Sequence, residues 1–412
     1  MSFADVILLA SIFGGFLMAF ALGANDVANS MAPSVGAKAI TLRQAVIVAG
    51  VLNFIGAVLL GSHVAATISK GIIDASAIHD QNVLMLGMFA ALLSSGLWVL
   101  VATFTALPVS STHSIVGSLV GFGLVAGGPD VVYWGSMTRI VISWISSPFI
   151  GALIAYLAFI HIQRMILYRE NSIRALFAWA PFWACLTLLL ISLSFCFKTP
   201  IGKKMELGLV GGLVVAGAFS LVLTVIFYTW LRRFVNRQTG HPTTVVEEVF
   251  KRMQVGTACY VALSQGANDV ANAIGPVIAI YFIAETGGLI DSMQVPLWIL
   301  ILGGAGITVG IIAMGHKVMN TVGERITKMN NTRGFAVDFS AATTVLMASN
   351  MGLPVSTTHA TVGAVVGVGL ARGFSSVDFR VLLRILLYWV LTVPIAAFSC
   401  IVIFQILRWT FL

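Results

Sequence analysis

Two short polar stretches interrupt an otherwise apolar chain. The first, Gly23-Ala24-Asn25-Asp26-Val27-Ala28-Asn29, sets the carboxylate of Asp26 beside the carboxamides of Asn25 and Asn29. It recurs unchanged at Gly266–Asn272, with Asn268, Asp269 and Asn272 in the same places. On a helix, residues three and four apart are neighbours, so each trio lines one flank. Small residues surround both trios, and Pro33 and Pro276 follow them. Proline removes an amide hydrogen and frees a carbonyl, so a helix broken at each stretch is the expectation. Carboxylate, carboxamide and freed carbonyl oxygens suit a small hard cation. The competing reading is that Asn and Asp only bond helices to one another. A complete Asn-Asp-x-x-Asn cluster occurring twice favours the cation.

The second stretch is Leu107-Pro108-Val109-Ser110-Ser111-Thr112-His113, repeated as Leu353-Pro354-Val355-Ser356-Thr357-Thr358-His359. Proline followed by hydroxyl residues marks the start of a helix. The unpaired amides and positive dipole end found there attract anions. Two such ends, with the hydroxyls of Ser110, Ser111, Thr112, Ser356, Thr357 and Thr358, could close around one tetrahedral oxyanion. The alternative, a turn capped by its own hydroxyls, is compatible with binding. His113 and His359 fit support of the hairpin somewhat better than proton coupling. Neither stretch contains Lys or Arg, so the anion's charge must be met by helix dipoles and bound cations.

The elements that hold these residues follow from composition. Hydrophobic residues make up 58% of the 412 and charged residues 9%, with a mean hydropathy of +0.99. Soluble domains carry about 25% charged residues, so most of this surface must face lipid, and an all-α polytopic membrane protein is expected. About twelve apolar segments are expected, near 3–38, 43–68, 82–105, 108–126, 131–163, 176–197, 206–231, 253–283, 295–315, 335–350, 354–371 and 379–408. The first, fifth, eighth and twelfth are too long for simple perpendicular crossings. The N-terminal Met-Ser-Phe-Ala-Asp lacks a basic region, so the first segment is read as a retained helix, not a cleaved signal. Cys185, Cys196, Cys259 and Cys400 all fall in apolar stretches and read as core residues. The net charge of +8 reads as cytoplasmic loops, not as a nucleic-acid partner.

Both signatures recur in the same order, each second one followed by Val-Gly-x-x-Val-Gly-x-Gly-Leu at 116–124 and 362–370. The chain is therefore duplicated: a first repeat over 1–165, a connecting pair of helices and a loop over 166–245, and a second repeat over 246–412. Five segments plus two is odd, so the second copy enters the membrane from the opposite face. Of the 23 basic residues, only Lys70, Arg139, Lys198, Lys203, Lys204 and Arg408 fall on one set of alternate loops. The richer side is cytoplasmic, which puts both termini outside. This parity survives if 82–105 and 108–126 form a re-entrant pair. Basic Lys251 and Arg252 precede segment 253–283 and Glu285 follows it, so Asp269, and by repetition Asp26, belongs near the bilayer midplane. A carboxylate at that depth needs a partner or a cavity.

In these residues the chain resembles the inorganic phosphate transporter (PiT) family. The resemblance rests on both copies of Gly-Ala-Asn-Asp-Val-Ala-Asn and both Pro-Val-Ser-x-Thr-His hairpins, and spans almost the whole sequence. It implies cotransport of inorganic phosphate with Na+ or H+, an inverted-repeat core with re-entrant hairpins at the substrate site, and a homodimer in the cytoplasmic membrane. Some relatives carry sulfate, and some proton-coupled ones take a metal–phosphate complex. The short 232–252 loop is similar to that of prokaryotic members. The copies differ at Ser30 against Ala273 and Ser111 against Thr357. The Asn and Asp oxygens incline the coupling ion to Na+, though protons would need only the carboxylates. The favoured reading is a phosphate symporter working by alternating access. A sulfate carrier, a passive anion channel and a membrane hydrolase using Ser, His and Asp are the alternatives. Against the hydrolase, there is no Gly-x-Ser-x-Gly elbow. Phosphate keeps a proton at neutral pH and sulfate does not, so a carboxylate at the anion, Asp26 or Asp269, would select phosphate.

Overall fold

The computed structural model describes residues 2–61, 71–199, 202, 205–286, 295–350 and 355–412. Among them run twelve α-helices: α1 Phe3–Gly36, α2 Leu42–Leu60, α3 Gln81–Phe104, α4 Ser111–Ala126, α5 Trp134–Ile162, α6 Ser172–Lys198, α7 Leu209–Val235, α8 Pro242–Thr286, α9 Leu297–Asn320, α10 Asn331–Asn350, α11 Thr357–Leu370 and α12 Phe379–Phe411. Nine of these are long and apolar enough to cross a membrane. The chain is thus an all-helical polytopic protein. The other three are α4 with 16 residues, α11 with 14, and α10, whose first turns carry Arg333 and Asp338. At 1.5 Å per residue, α4 and α11 reach only about 24 and 21 Å, short of a hydrocarbon core of about 30 Å. Lys70, Lys203, Lys204 and the Leu353-Pro354 pair lie outside the described residues.

Two expectations from sequence are corrected. The eighth helix starts at Pro242, not near 253. Its first turns mix the buried Val245, Val246, Val249 and Phe250 with Glu247, Glu248, Lys251 and Arg252, so a search for apolar runs passes over an amphipathic helix. The extension has a use. Glu247 accepts hydrogen bonds from Asn330 Nδ2 at 2.8 Å, Thr332 Oγ1 at 2.9 Å and the Thr332 amide at 3.1 Å, capping the start of α10.

The second correction concerns the signatures. Both α1 and α8 run unbroken through them, with Pro33 and Pro276 inside the helices. A helix can carry a proline when the carbonyl it frees finds another donor. In α1 that carbonyl is Asn29 O, and Thr361 Oγ1 donates to it at 3.2 Å.

The two copies interleave, and their contacts come in matched pairs. Helix α1 packs along α9 of the other copy, and α8 along α2. Both crossings centre on the first glycine of the signature. A Cβ on Gly23 would stand 1.9 Å from Ile307 O, and one on Gly266 would stand 2.2 Å from Asn53 O. In the same way α4 lies on α12 and α11 on α5, with Gly117 against Val393 and Gly363 against Pro148. Helices α6 and α7 pack on one another outside this core. The sequence boundaries 165/166 and 245/246 fall in the π-turn Gln163–Leu167 and the first turn of α8.

Candidate functional site

Between α3 and α4 the chain turns at Ala106, which takes a positive φ of 57°, and restarts after Pro108. Ser110 is the N-cap of α4 and accepts from the His113 amide at 3.3 Å. Ser356 caps α11 in the same way, accepting from the His359 amide at 3.2 Å. Capping thus engages one hydroxyl of each triplet. Ser111 and Thr112, and Thr357 and Thr358, occupy the first turns, where the amides lack an intrahelical acceptor.

Asn25 is committed to this turn. Its Nδ2 donates to Thr103 Oγ1 at 3.0 Å and Leu107 O at 3.1 Å, and its Oδ1 accepts from the Val109 amide at 3.1 Å. The side chain closes the gap that the helix break leaves in the backbone bonding, so it fixes where α4 begins. Asn268, its counterpart, is half-buried.

Asp26 and Asn29, on the same flank of α1, reach into the meeting point of α4 and α11. Ser111 Oγ donates to Asp26 Oδ2 at 2.6 Å. Asn29 Nδ2 lies 3.2 Å from Asp26 Oδ1, 3.2 Å from Thr357 Oγ1 and 3.0 Å from Thr358 Oγ1. Thr358 Oγ1, with one proton to give, is 3.3 Å from Asp26 Oδ1 and 3.1 Å from Val109 O. In the mirrored relationship Asn272 Nδ2 donates to Thr112 Oγ1 at 3.2 Å. Each signature helix therefore reaches the hairpin of the other copy. The structure brings together Asp26, Asn29, Ser111, Thr112, Asn272, Thr357 and Thr358, all of them within the interior or its edge. Asp269 is buried beside them, within reach of the charge on Asp26.

The two halves are chemically unequal. Asp26 has donors on both oxygens, whereas Asp269 Oδ2 has none at hydrogen-bond distance among the described residues, with the Gln265 side chain beside its carboxyl. The substitution of Thr357 for Ser111 belongs to this difference: Ser111 donates to Asp26, and Thr357 accepts from Asn29. Gln265, absent from the sequence reading, precedes the second signature where the first has Leu22. Its Nε2 donates to Asp26 O at 2.5 Å, which turns Oε1 away, buried and without a partner. Asn29 Oδ1 is in the same state. The site thus holds three buried acceptor oxygens that meet no donor among the described residues: Asn29 Oδ1, Gln265 Oε1 and Asp269 Oδ2. Leaving each unmet costs about 1–3 kcal/mol.

Behind the hairpins the two histidines meet, ring centroids 4.4 Å apart and edge to face. His113 packs on Trp144 and His359 stacks on Trp389, each at 3.6 Å. Trp389 Nε1 donates to Pro108 O at 3.1 Å. His359 Nδ1 is 3.0 Å from Trp144 O; a carbonyl only accepts, so Nδ1 carries the proton. The signal for both tryptophans was available in Pro148 and Pro394, which follow them on α5 and α12 and repeat between the copies.

The profile described as the phosphate transporter family matches residues 22–400. A protein of Thermococcus kodakarensis, provisionally named a phosphate permease, is 48% identical over 99% of this chain and 99% of its own length. The chloroplastic inorganic phosphate transporter 2-1 of Arabidopsis thaliana is 38% identical over 94% of this chain and 70% of its own length. A solved structure described as the sodium-dependent phosphate transporter superposes with a TM-score of 0.89. It is 45% identical, covering 98% of this chain and 99% of that one.

Proposed function

The chain belongs to the phosphate transporter family, a family of transporters and not of enzymes, and on that premise we propose that it imports inorganic phosphate together with Na+ across the cytoplasmic membrane. The observation that carries the cation is the trio of unpartnered buried oxygens, Asn29 Oδ1, Gln265 Oε1 and Asp269 Oδ2. Neutral carboxamides with one carboxylate suit a monovalent hard ion. Beside them, the first turns of α4 and α11 offer Ser111, Thr112, Thr357 and Thr358 with their free amides, a donor set for an oxyanion. Asp26, already accepting from Ser111, would also accept the proton that phosphate retains and sulfate lacks. Asn272 orients Thr112, and Asn25 fixes the hairpin. A cation at Asp269 offsets the anion's charge, so each ion binds better with the other present.

The matched crossings α1–α9 with α8–α2, and α4–α12 with α11–α5, support an inverted relation between the repeats at 1–165 and 246–412. The reduced lengths of α4 and α11 support hairpins that re-enter and do not cross. The solved relative's sodium dependence favours Na+ over H+.

Labelled phosphate uptake into proteoliposomes tests this. An inward Na+ gradient at equal pH should drive accumulation above the external concentration, with sulfate failing to compete. Accumulation driven by a pH gradient without Na+ would replace the Na+ assignment, and mere equilibration would make the protein a channel.

A further inference from the structure

Helices α2 and α9 run antiparallel and touch at mid-length. Thr308 Oγ1 donates to Gly50 O at 3.1 Å, and a Cβ on Gly304 would stand 3.1 Å from the Phe54 ring. Toward the start of α2 and the end of α9 they leave a groove of about 500 Å³, lined by Leu42, Arg43, Val46, Ile47, Ile312 and His316. Its groups are sorted by depth. Arg43 lies in the first turn of α2 and His316 in the last turns of α9, while Ile47 and Ile312 lie one turn deeper on each helix. Val51 and Ile55 continue the outward face of Ile47 at four-residue spacing and are 53% and 38% exposed. Ile55 is about 18 Å along the helix from Arg43, close to one leaflet's share of a hydrocarbon core of about 30 Å.

The polar end of this groove has no protein partner. Neither Arg43 nor His316 forms an ion pair or a hydrogen bond among the described residues. Lys317, next in sequence, is turned onto the Phe104 ring, 4.7 Å from its centroid. The first turn of α2 carries no acidic residue, so Arg43 stands at the positive end of a helix dipole, where a cation is disfavoured and an anion favoured. At the opposite end of the same helix pair, Leu59, Leu297 and Trp298 are exposed with no charged side chain beside them among the described residues. A face made for lipid tails alone, or for another protein's apolar surface, has no need of one basic end. That end lies on the basic-rich side, where the facing leaflet carries anionic lipids.

We propose that the groove between α2 and α9 binds one anionic phospholipid from the leaflet on the basic-rich side. Its phosphate meets Arg43 and His316, and an acyl chain runs along Ile312, Ile47 and Val51. The guanidinium offers paired donors to phosphate oxygens, the imidazole adds one N–H, and the apolar stripe takes the chain. None of these residues takes part in the proposed function, so the site goes beyond it. It bears on the transport centre through the helices it bridges: α9 at Ile307 and α2 at Asn53 supply the backbone against which Gly23 and Gly266 pack. A lipid seated here braces the two helices on which both signature helices rest.

Binding of radiolabelled phosphatidylglycerol to the purified full-length chain in a neutral detergent tests it. A saturable component should appear that unlabelled phosphatidylglycerol displaces, and that phosphatidylcholine and inorganic phosphate do not. The Arg43→Gln/His316→Gln double variant should weaken it about tenfold or more. Ile312→Trp, which keeps both polar groups and fills the groove, should weaken it as much. Arg237→Gln, exposed on the same basic-rich side, should leave it unchanged. Phosphatidylglycerol should also raise the melting temperature of the native chain and of neither groove variant. The proposal is overturned if phosphatidylcholine or inorganic phosphate competes equally, or if Arg237→Gln weakens binding as the groove variants do. It also fails if the groove variants alter the oligomer's size on gel filtration and leave lipid binding intact, for then a second copy covers the groove.

Discussion

His359 donates from Nδ1 to the main-chain oxygen of Trp144 at 3.0 Å, tying the hairpin helix of the second repeat to the fifth helix of the first. That oxygen is free because Pro148, four residues on, has no amide hydrogen. Two residues after His359, Thr361 does the same for Asn29 O, freed by Pro33. Helix α11 is therefore docked at two proline-released carbonyls of the other copy, one behind the candidate site and one within it. The prolines here make attachment points for a neighbouring helix, and the helices that contain them stay whole.

If His359 supports the hairpin, His359→Asn should keep a donor near the Nδ1 position and sacrifice only the stacking on Trp389. His359→Leu would also leave Trp144 O unmet, a loss of about 1–3 kcal/mol. Thermal unfolding in detergent should therefore rank the native chain above Asn and Asn above Leu. Phosphate uptake by the Asn variant should be slower with an unaltered pH profile. A profile that flattens would instead assign His359 to proton transfer.

The inequality of the two carboxylates predicts different failures. Asp26→Asn turns the acceptor for Ser111 into a group that is half donor, so uptake should fall by about tenfold or more and discrimination against sulfate should relax. Asp269→Asn removes a charge whose Oδ2 meets no donor among the described residues. Its fold should be unharmed or stabilised, while the Na+ concentration for half-maximal uptake rises by about tenfold or more. Uptake measured against Na+, with sulfate as competitor, separates the two. Identical behaviour of both variants would contradict the asymmetry.

Much of this site was legible because its chemistry is costly in an apolar setting. Asp26, Asp269 and the hydroxyl triplets stand out where every polar group needs a reason, and their duplication supplied the pairing. Harder to read was the exchange between copies: nothing local says that Asn29 meets Thr358 and not Thr112. The amphipathic start of α8 was missed because Glu247 and Arg252 lower the hydropathy of turns that Val246 and Phe250 still bury. The break expected at Pro33 failed for a tertiary reason, since its cost depends on a donor, Thr361, that lies far along the chain. Asn25 looked like a member of a cation cage by spacing, yet its three bonds go to the neighbouring hairpin.

Gln265 distinguishes a cation role from a packing role. Its donor reaches Asp26 O and its acceptor is unpartnered, so Gln265→Leu deletes both and Gln265→Glu restores an acceptor. The Leu variant should shift the Na+ dependence of uptake by about tenfold with little change at saturating Na+. The Glu variant should move it back toward the native curve. Equal loss in both, at all Na+ concentrations, would mean that the donor to Asp26 matters and the free oxygen does not.

The signature glycines make a test of packing alone. Ala at Gly23 or Gly266 would push a methyl group to 1.9 Å from Ile307 O or 2.2 Å from Asn53 O. Those atoms belong to backbone in the facing helix, so neither can turn aside, and the crossing must open. Each substitution should lower thermal stability by about 1–3 kcal/mol or more and reduce uptake by moving the neighbouring Asn and Asp out of register with the hairpins. Gly217 of α7 has open space where its Cβ would be. There Gly217→Ala should be neutral or stabilising by about 0.5–1 kcal/mol, through helix propensity alone. Melting of the three variants side by side in one detergent checks this. Equal melting temperatures would show that the α1–α9 and α8–α2 crossings are looser than these backbone distances require.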